Sequence, residues 1–259
     1  MNVVAKSVAA VVVAFVPAMS LAADLPVRSA APEPVFTAVH NWTGFYAGVH
    51  AGAVWLNGKN TQIGAPLPLL FPNGTVIGGN TTGFLGGVQI GYNYQTNNLV
   101  LGVEADGSLA STRISVTTPS PLIPGATATG TTRSDWYATL TGRIGFAANN
   151  WLFYAKGGAA FSEFKFGGNA NIPPFFLVNP VSSSRVGWTL GLGAEYAISR
   201  NWSAKIEYNY MDFGSKQHAF TTTPAVGTTF NNVRLNAHVV KFGLNYLFSS
   251  SPAAVIAKY

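Results

Sequence analysis

Trp136-Tyr137-Ala138-Thr139-Leu140-Thr141-Gly142-Arg143-Ile144-Gly145-Phe146 is followed, after Ala147 to Asn150, by Trp151-Leu152-Phe153-Tyr154-Ala155-Lys156-Gly157-Gly158-Ala159. In the first part Trp136, Ala138, Leu140, Ile144 and Phe146 alternate with Tyr137, Thr139, Thr141 and Arg143. In the second, Phe153, Ala155 and Ala159 alternate with Tyr154, Lys156 and Gly158. A period of two sends successive side chains to opposite faces of a β-strand. The break from Ala148 to Asn150 suits a tight turn, so the two segments read as an antiparallel hairpin. Arg143 and Lys156 both fall on the polar, glycine-containing face, and the other face carries no charge.

Working outward, the same period marks eight segments: Gly44 to Leu56, Gly83 to Tyr94, Leu99 to Thr112, Arg133 to Ala147, Trp151 to Phe166, Arg185 to Ile198, Trp202 to Lys216 and Val233 to Phe248. Their connections alternate in length. Gln95 to Asn98, Ala148 to Asn150 and Ser199 to Asn201 are short, whereas Asn57 to Thr82, Arg113 to Thr132, Gly167 to Ser184 and Gln217 to Asn232 read as long loops. An even number of strands with short turns at one end and long loops at the other describes an all-β, eight-stranded antiparallel up-and-down transmembrane β-barrel. A lipocalin-type soluble barrel has the opposite polarity, apolar inside and wet outside. Here the charge-free face must be the outer one, because a basic side chain at the bilayer midplane costs about 2–4 kcal/mol. Aromatic residues gather at both ends of that face, Tyr92, Tyr94, Phe146, Phe153, Tyr196, Trp202, Tyr246 and Phe248 toward the turns and Trp55, Phe84, Trp136, Trp188 and Tyr210 toward the loops. They form two interfacial girdles.

Composition agrees. Of 259 residues only 9% are charged against 48% hydrophobic, and there is no cysteine. This excludes a disordered or acidic segment, a disulfide scaffold and thiol chemistry. No run long enough for a transmembrane helix follows the first two dozen residues. Residues 1–22, with Lys6 ahead of an apolar core and small residues at Ser20 and Ala22, read as a cleaved signal peptide. Residues 23–41 read as a periplasmic Pro-rich linker, 42–248 as the barrel and 249–259 as a periplasmic tail.

The residues also carry a resemblance. Asn41-Trp42-Thr43-Gly44-Phe45-Tyr46-Ala47-Gly48, Thr141-Gly142-Arg143-Ile144-Gly145, Tyr154-Ala155-Lys156-Gly157-Gly158-Ala159, Gly191-Leu192-Gly193-Ala194-Glu195-Tyr196, Lys205-Ile206-Glu207-Tyr208 and Tyr210-Met211-Asp212-Phe213-Gly214 resemble the small outer-membrane immunogenic or porin-family proteins of alphaproteobacteria. It covers nearly all of the strands and little of the loops. It implies a cell outer membrane location and antigenic surface loops, with haemin binding or porin activity ascribed to some members. Lys241, Gly243, Tyr246 and Phe248 look like the last-strand pattern read by the barrel-insertion machinery, which is then a partner during biogenesis.

Four acids, Glu104, Asp106, Glu195 and Glu207, and four bases, Arg143, Lys156, Lys205 and Lys241, share the inner face in the halves of the strands nearer the turns. They are expected to pair as a plug, because an eight-stranded barrel is just wide enough for side chains to fill it. A narrow charge-lined pore is the alternative, and independently hydrated side chains the plainest one. Toward the loops Lys59, Arg113, Arg133, Lys165, Arg185, Lys216 and Arg234 outnumber Asp135, Glu163 and Asp212. They form a candidate rim for lipopolysaccharide phosphates, or merely solubilise the loops. His218 and His238 are candidate haem contacts, imidazole being a common iron ligand. No histidine stands with a serine in a nucleophile motif, so no catalytic residue, enzyme activity, resident cofactor or metal is expected. The glycine pairs Gly78-Gly79, Gly86-Gly87, Gly157-Gly158 and Gly167-Gly168 lack the strand-to-helix context of a phosphate loop. The expected function is structural, maintaining the outer membrane and presenting loops to host or environmental ligands. A small-solute pore comes second and haemin binding third. No nucleic-acid partner is indicated.

Overall fold

The computed structural model describes residues 40–64, 72–120, 122–171, 176–223 and 228–248. The expected signal peptide, most of the linker and the tail lie outside these residues. Eight strands, β1 (Gly44–Gly64), β2 (Val76–Thr96), β3 (Leu99–Pro119), β4 (Thr127–Ala148), β5 (Trp151–Asn171), β6 (Phe176–Ala197), β7 (Trp202–Thr223) and β8 (Thr228–Leu247), pair antiparallel in sequence order. β8 returns to β1 and closes the ring. The charge-free face looks outward, where Phe45, Val49, Leu101, Leu140, Ile144, Leu192 and Phe242 are exposed.

The short turns are tied to one another. Asn97 and Asn149 occupy the left-handed region at φ 53°, which asparagine tolerates better than most side chains. The carbonyl of Asn98 accepts from Ala147 N, that of Asn150 from Ala197 N and that of Asn201 from Leu247 N. Each turn thereby holds the end of a strand beyond its own hairpin.

The strands are longer than the hydropathy pattern predicts. At 20 to 22 residues they exceed the about 9–11 residues that cross a bilayer, so about half of each stands beyond the lipid. The segments expected as long loops are mostly strand: 57–64, 76–82, 113–119, 127–132, 167–171, 176–184, 217–223 and 228–232 all lie in the sheet. The β3–β4 connection shrinks to Ser120–Ala126, closed by Ser120 N donating to Ala126 O at 2.8 Å. Threonine favours extended backbone, and Thr117 and Thr129 meet across β3 and β4 through their hydroxyls at 2.8 Å. Out there the inner face is apolar and the outer face polar or mixed, so the alternation that marks the lipid-crossing half is reversed while the strand persists.

Beyond the loop-side girdle the ring changes form. The β2–β3 ladder stops at Leu85↔Ala110. The β6–β7 ladder stops at Trp188↔Asp212 and resumes only at Val178↔Thr222. The other six ladders continue. Two four-stranded sheets, β3–β4–β5–β6 and β7–β8–β1–β2, thus face each other across an apolar core that includes Leu56, Ile114, Phe164, Phe166, Phe213, Phe220 and Leu235. Bulges at Leu109/Thr112, Ser134/Tyr137 and Asp212/Ser215 lie where this change begins, as expected of features that bend a strand and increase its twist. One of them, between Ser134 and Tyr137, turns Asp135 outward, where unbroken alternation from Tyr137 would point it inward. A Cβ at Gly79 would lie 2.5 Å from Val116 Cγ2 and 2.7 Å from Ile114 Cγ2, so that glycine lets the branched side chains of β3 fill the space.

Candidate functional site

The inner face of the membrane-spanning half brings the eight charged residues together. Glu104 of β3 lies at the centre. Lys156 Nζ of β5 donates to its Oε1 at 2.7 Å, Lys205 Nζ of β7 to its Oε2 at 3.2 Å, and Tyr46 of β1 donates its hydroxyl at 2.8 Å. Glu207 is bound in the same way by Lys156 at 2.7 Å, Lys205 at 3.4 Å, the Tyr154 hydroxyl at 2.8 Å and Asn209 Nδ2 at 2.7 Å. Arg143 reaches Glu195 at 3.5 Å and Glu104 at 3.8 Å, donates to Asn93 Oδ1 at 2.7 Å, and has the rings of Tyr46 and Tyr154 at 4.6 and 5.1 Å. Lys241 donates to Asp106 at 2.8 Å. All eight charged side chains are at most 3% exposed. Every charge has a partner of opposite sign, the condition under which buried charge is tolerated.

Neutral groups that sequence reasoning left out complete the network. His50 contacts Gln89 at 2.5 Å and Ser108 at 2.9 Å, with Asp106 at 3.3 Å from its Nδ1. Gln89 donates to Asn245, which donates to Glu195. Their inward parity is the signal that could have found them: Asn245 shares it with Lys241 on β8, and Gln89 of β2 stands opposite Asp106 in the register. Glycine on the neighbouring strand makes room for the large side chains: a Cβ at Gly91 would lie 2.3 Å from the Tyr46 hydroxyl, and one at Gly193 would lie 2.4 Å from Tyr154 Cζ.

The network is covered on both sides. At the turn end Trp42, 2% exposed, packs with Val100, Ala147, Leu152, Tyr154 and Ala197, and its backbone N–H donates to Gln95 Oε1 at 2.8 Å. A cavity of about 10 Å³ remains beside Trp42, Tyr46, Asn93 and Glu195, room for about one water. At the far end lies the apolar core.

The remaining expected site residues scatter. Lys59, Arg113, Arg133, Lys165 and Arg234 are exposed on the outer wall, and Lys216 is exposed on β7. Arg185 is not a rim residue. It is 4% exposed on the inner face, donating to Val233 O at 2.8 Å and Gly214 O at 3.3 Å and lying 2.9 Å from His218 Nε2. The strand parity of β6, set by Trp188 outside and Thr189 inside, sends it inward. His218 is likewise buried inside, whereas His238 is on the outer wall with its Nδ1 2.7 Å from the Tyr208 hydroxyl. With the wall between them the two histidines cannot share one iron, which removes the expected haem pair. Among the described residues no group of three or more His, Cys, Asp or Glu side chains could hold a metal ion. Of the last-strand pattern, Lys241 points into the network, while Tyr246 and Phe248 meet edge to face on the outer wall at 5.1 Å.

A closed eight-stranded ring, uncharged outside between two aromatic girdles, defines a β-barrel protein of the bacterial outer membrane. The chain belongs to the outer membrane protein beta-barrel domain family, whose profile matches residues 8–248. It is 33% identical over 244 residues to the 31 kDa outer-membrane immunogenic protein of Brucella melitensis biotype 1, covering 88% of this chain and 93% of that one. It is 26% identical over 247 residues to the 25 kDa outer-membrane immunogenic protein of Brucella abortus biovar 1, covering 94% and 98%. In fold it is similar to the outer membrane protease OmpT of Escherichia coli, with a TM-score of 0.51, 9% identity and coverage of 79% and 97%. At that identity the likeness concerns fold alone.

Proposed function

We propose that the protein is a closed, non-enzymatic barrel that strengthens the outer membrane and holds its far end out to the surroundings as an antigenic, interactive surface. The observation that carries this reading is the filled lumen: Trp42, the paired charge layer and the apolar core follow one another along the axis. A solute would have to break buried ion pairs and then displace packed aromatic side chains. The small-solute pore is therefore the weaker reading. Outer-membrane barrels carry short turns on the periplasmic side, which puts the two-sheet end outside the cell. The name of the relatives, outer-membrane immunogenic proteins, supports a surface seen by a host. Planar-bilayer recording on the purified chain tests the reading. The expected result is no steady conductance above lipid alone; a sustained, reproducible conductance would overturn it.

A further inference from the structure

On the outer wall of β1, β8 and β7, three successive rungs just beyond the lipid-facing surface change chemistry in a fixed order. The outermost pairs two cations, Lys59 directly opposite Arg234. Next comes an amide rung, Asn80, Asn57 and Asn236 side by side on β2, β1 and β8, with Asn57 Nδ2 donating to Asn236 Oδ1 at 3.2 Å. Asp212 of β7 extends that rung and accepts from Arg234 at 3.1 Å. The third rung is aromatic: Trp55 opposite His238, with Tyr210 5.1 Å from His238 and Trp188 5.4 Å from Tyr210. Below it Ala53, Val240, Ala51 and Phe242 begin the uncharged wall.

Like charges placed directly opposite on neighbouring strands repel. Among the described residues Lys59 has no carboxylate within ion-pair distance, and only Asp212 offsets Arg234. The pair therefore gains from an anion. Phosphate suits it, since basic side chains make short, charge-assisted bonds to phosphate oxygens. Amides beneath suit hydroxyl and amide groups of a sugar ring, an aromatic belt suits the interface, and the apolar wall suits acyl chains. The opposite wall lacks this order: Arg113, Arg133 and Lys165 form a row, but Asp135 bridges Arg133 and Lys165, and Glu163 lies on the same wall of β5.

The geometry points to a binding site on β1–β8–β7 for a phosphorylated, acylated sugar of the outer leaflet. This rests on the outward orientation of the two-sheet end proposed above, and not on the closed lumen. The test uses the full chain in neutral detergent, titrated with bisphosphorylated lipid A, with dephosphorylated lipid A and with phosphatidylglycerol, bound lipid being read by native mass spectrometry. Bisphosphorylated lipid A is expected to bind best. Lys59→Gln with Arg234→Gln should weaken it about tenfold or more, and Arg113→Gln with Arg133→Gln should leave it unchanged. Asn57→Leu with Asn236→Leu should abolish its preference over phosphatidylglycerol. All these side chains are on the outer wall, and heat-modifiable migration checks that each variant is folded. Equal losses from the two cation pairs, or equal binding of phosphatidylglycerol to the unaltered chain, would overturn the site. A conductance result does not bear on it, so the two readings fail separately.

Discussion

Arg185 is the cation that sequence reasoning placed wrongly, and its surroundings explain its use. It has no carboxylate partner among the described residues; its guanidinium binds the carbonyls of Gly214 on β7 and Val233 on β8 and faces His218 Nε2. The rings of Phe164 and Phe166 lie 6.0 and 5.7 Å away. It thus ties β6 to its neighbours where the β6–β7 ladder is interrupted. The tie depends on a neutral imidazole, since a protonated ring has no lone pair to accept from Arg185. Burial, then the charges of Arg185 and Lys216, hold the His218 pKa below its usual 6.5. A depressed histidine pKa means that the unfolded chain binds the proton first. The stabilisation is therefore complete above about pH 6.5 and is lost as the pH falls through the lower folded value. Limited proteolysis of the far end should accelerate between pH 7.5 and pH 5 in the native protein, and much less in His218→Gln, which keeps an acceptor that does not titrate. The same acceleration in both proteins would remove His218 from the account.

At the scale of the elements, the two interrupted ladders set the far half apart from the membrane-spanning half. Along 76–84 of β2 and 111–119 of β3 no cross-strand ladder joins the two strands, although each stays registered with its other neighbour. Alternate amides of β3 therefore point toward β4, where they are bonded, and toward β2, where the ladder is missing. Hydrogen exchange in lipid nanodiscs should be fast for the β2-facing amides of 111–119 and slow for the β4-facing ones. Uniform slow exchange would mean that the seam is closed. The extension of these strands was hidden in the sequence for an identifiable reason. Val54, Leu56, Phe164, Phe166, Val233 and Leu235 are apolar and face inward, so in the far half the outer face is polar or mixed while the inner face is apolar. That reverses the alternation seen within the membrane, and a reading based on one polarity stops where the reversal begins.

At the scale of the whole molecule, the charge layer and the apolar core are two means of filling one narrow barrel. Removing one charge from a closed network leaves its partners buried without compensation, which costs about 3–5 kcal/mol. Glu104 accepts from both Lys156 and Lys205, so Glu104→Gln should lower the temperature of the heat-modifiable transition on gel electrophoresis by several degrees or more. A wet lumen with independently hydrated charges predicts little change, and an unaltered transition would favour it.

The sequence by itself determined the ring of eight strands, the faces they turn to lipid and the membership of the charge layer. Each follows from strong local constraints: a strand alternates by backbone geometry, and a charge on the lipid face is too costly to persist. His50, Gln89, Asn93 and Asn245 were less legible, because neutral polar side chains are not so strictly excluded from other positions. The tertiary structure alone decided that Arg185 stitches three strands, that a bulge sends Asp135 outside, and that the far half closes as two sheets on an apolar core. These depend on which strands remain paired beyond the girdle. Strand pairing is a property of residues far apart in the chain, and no local period records it.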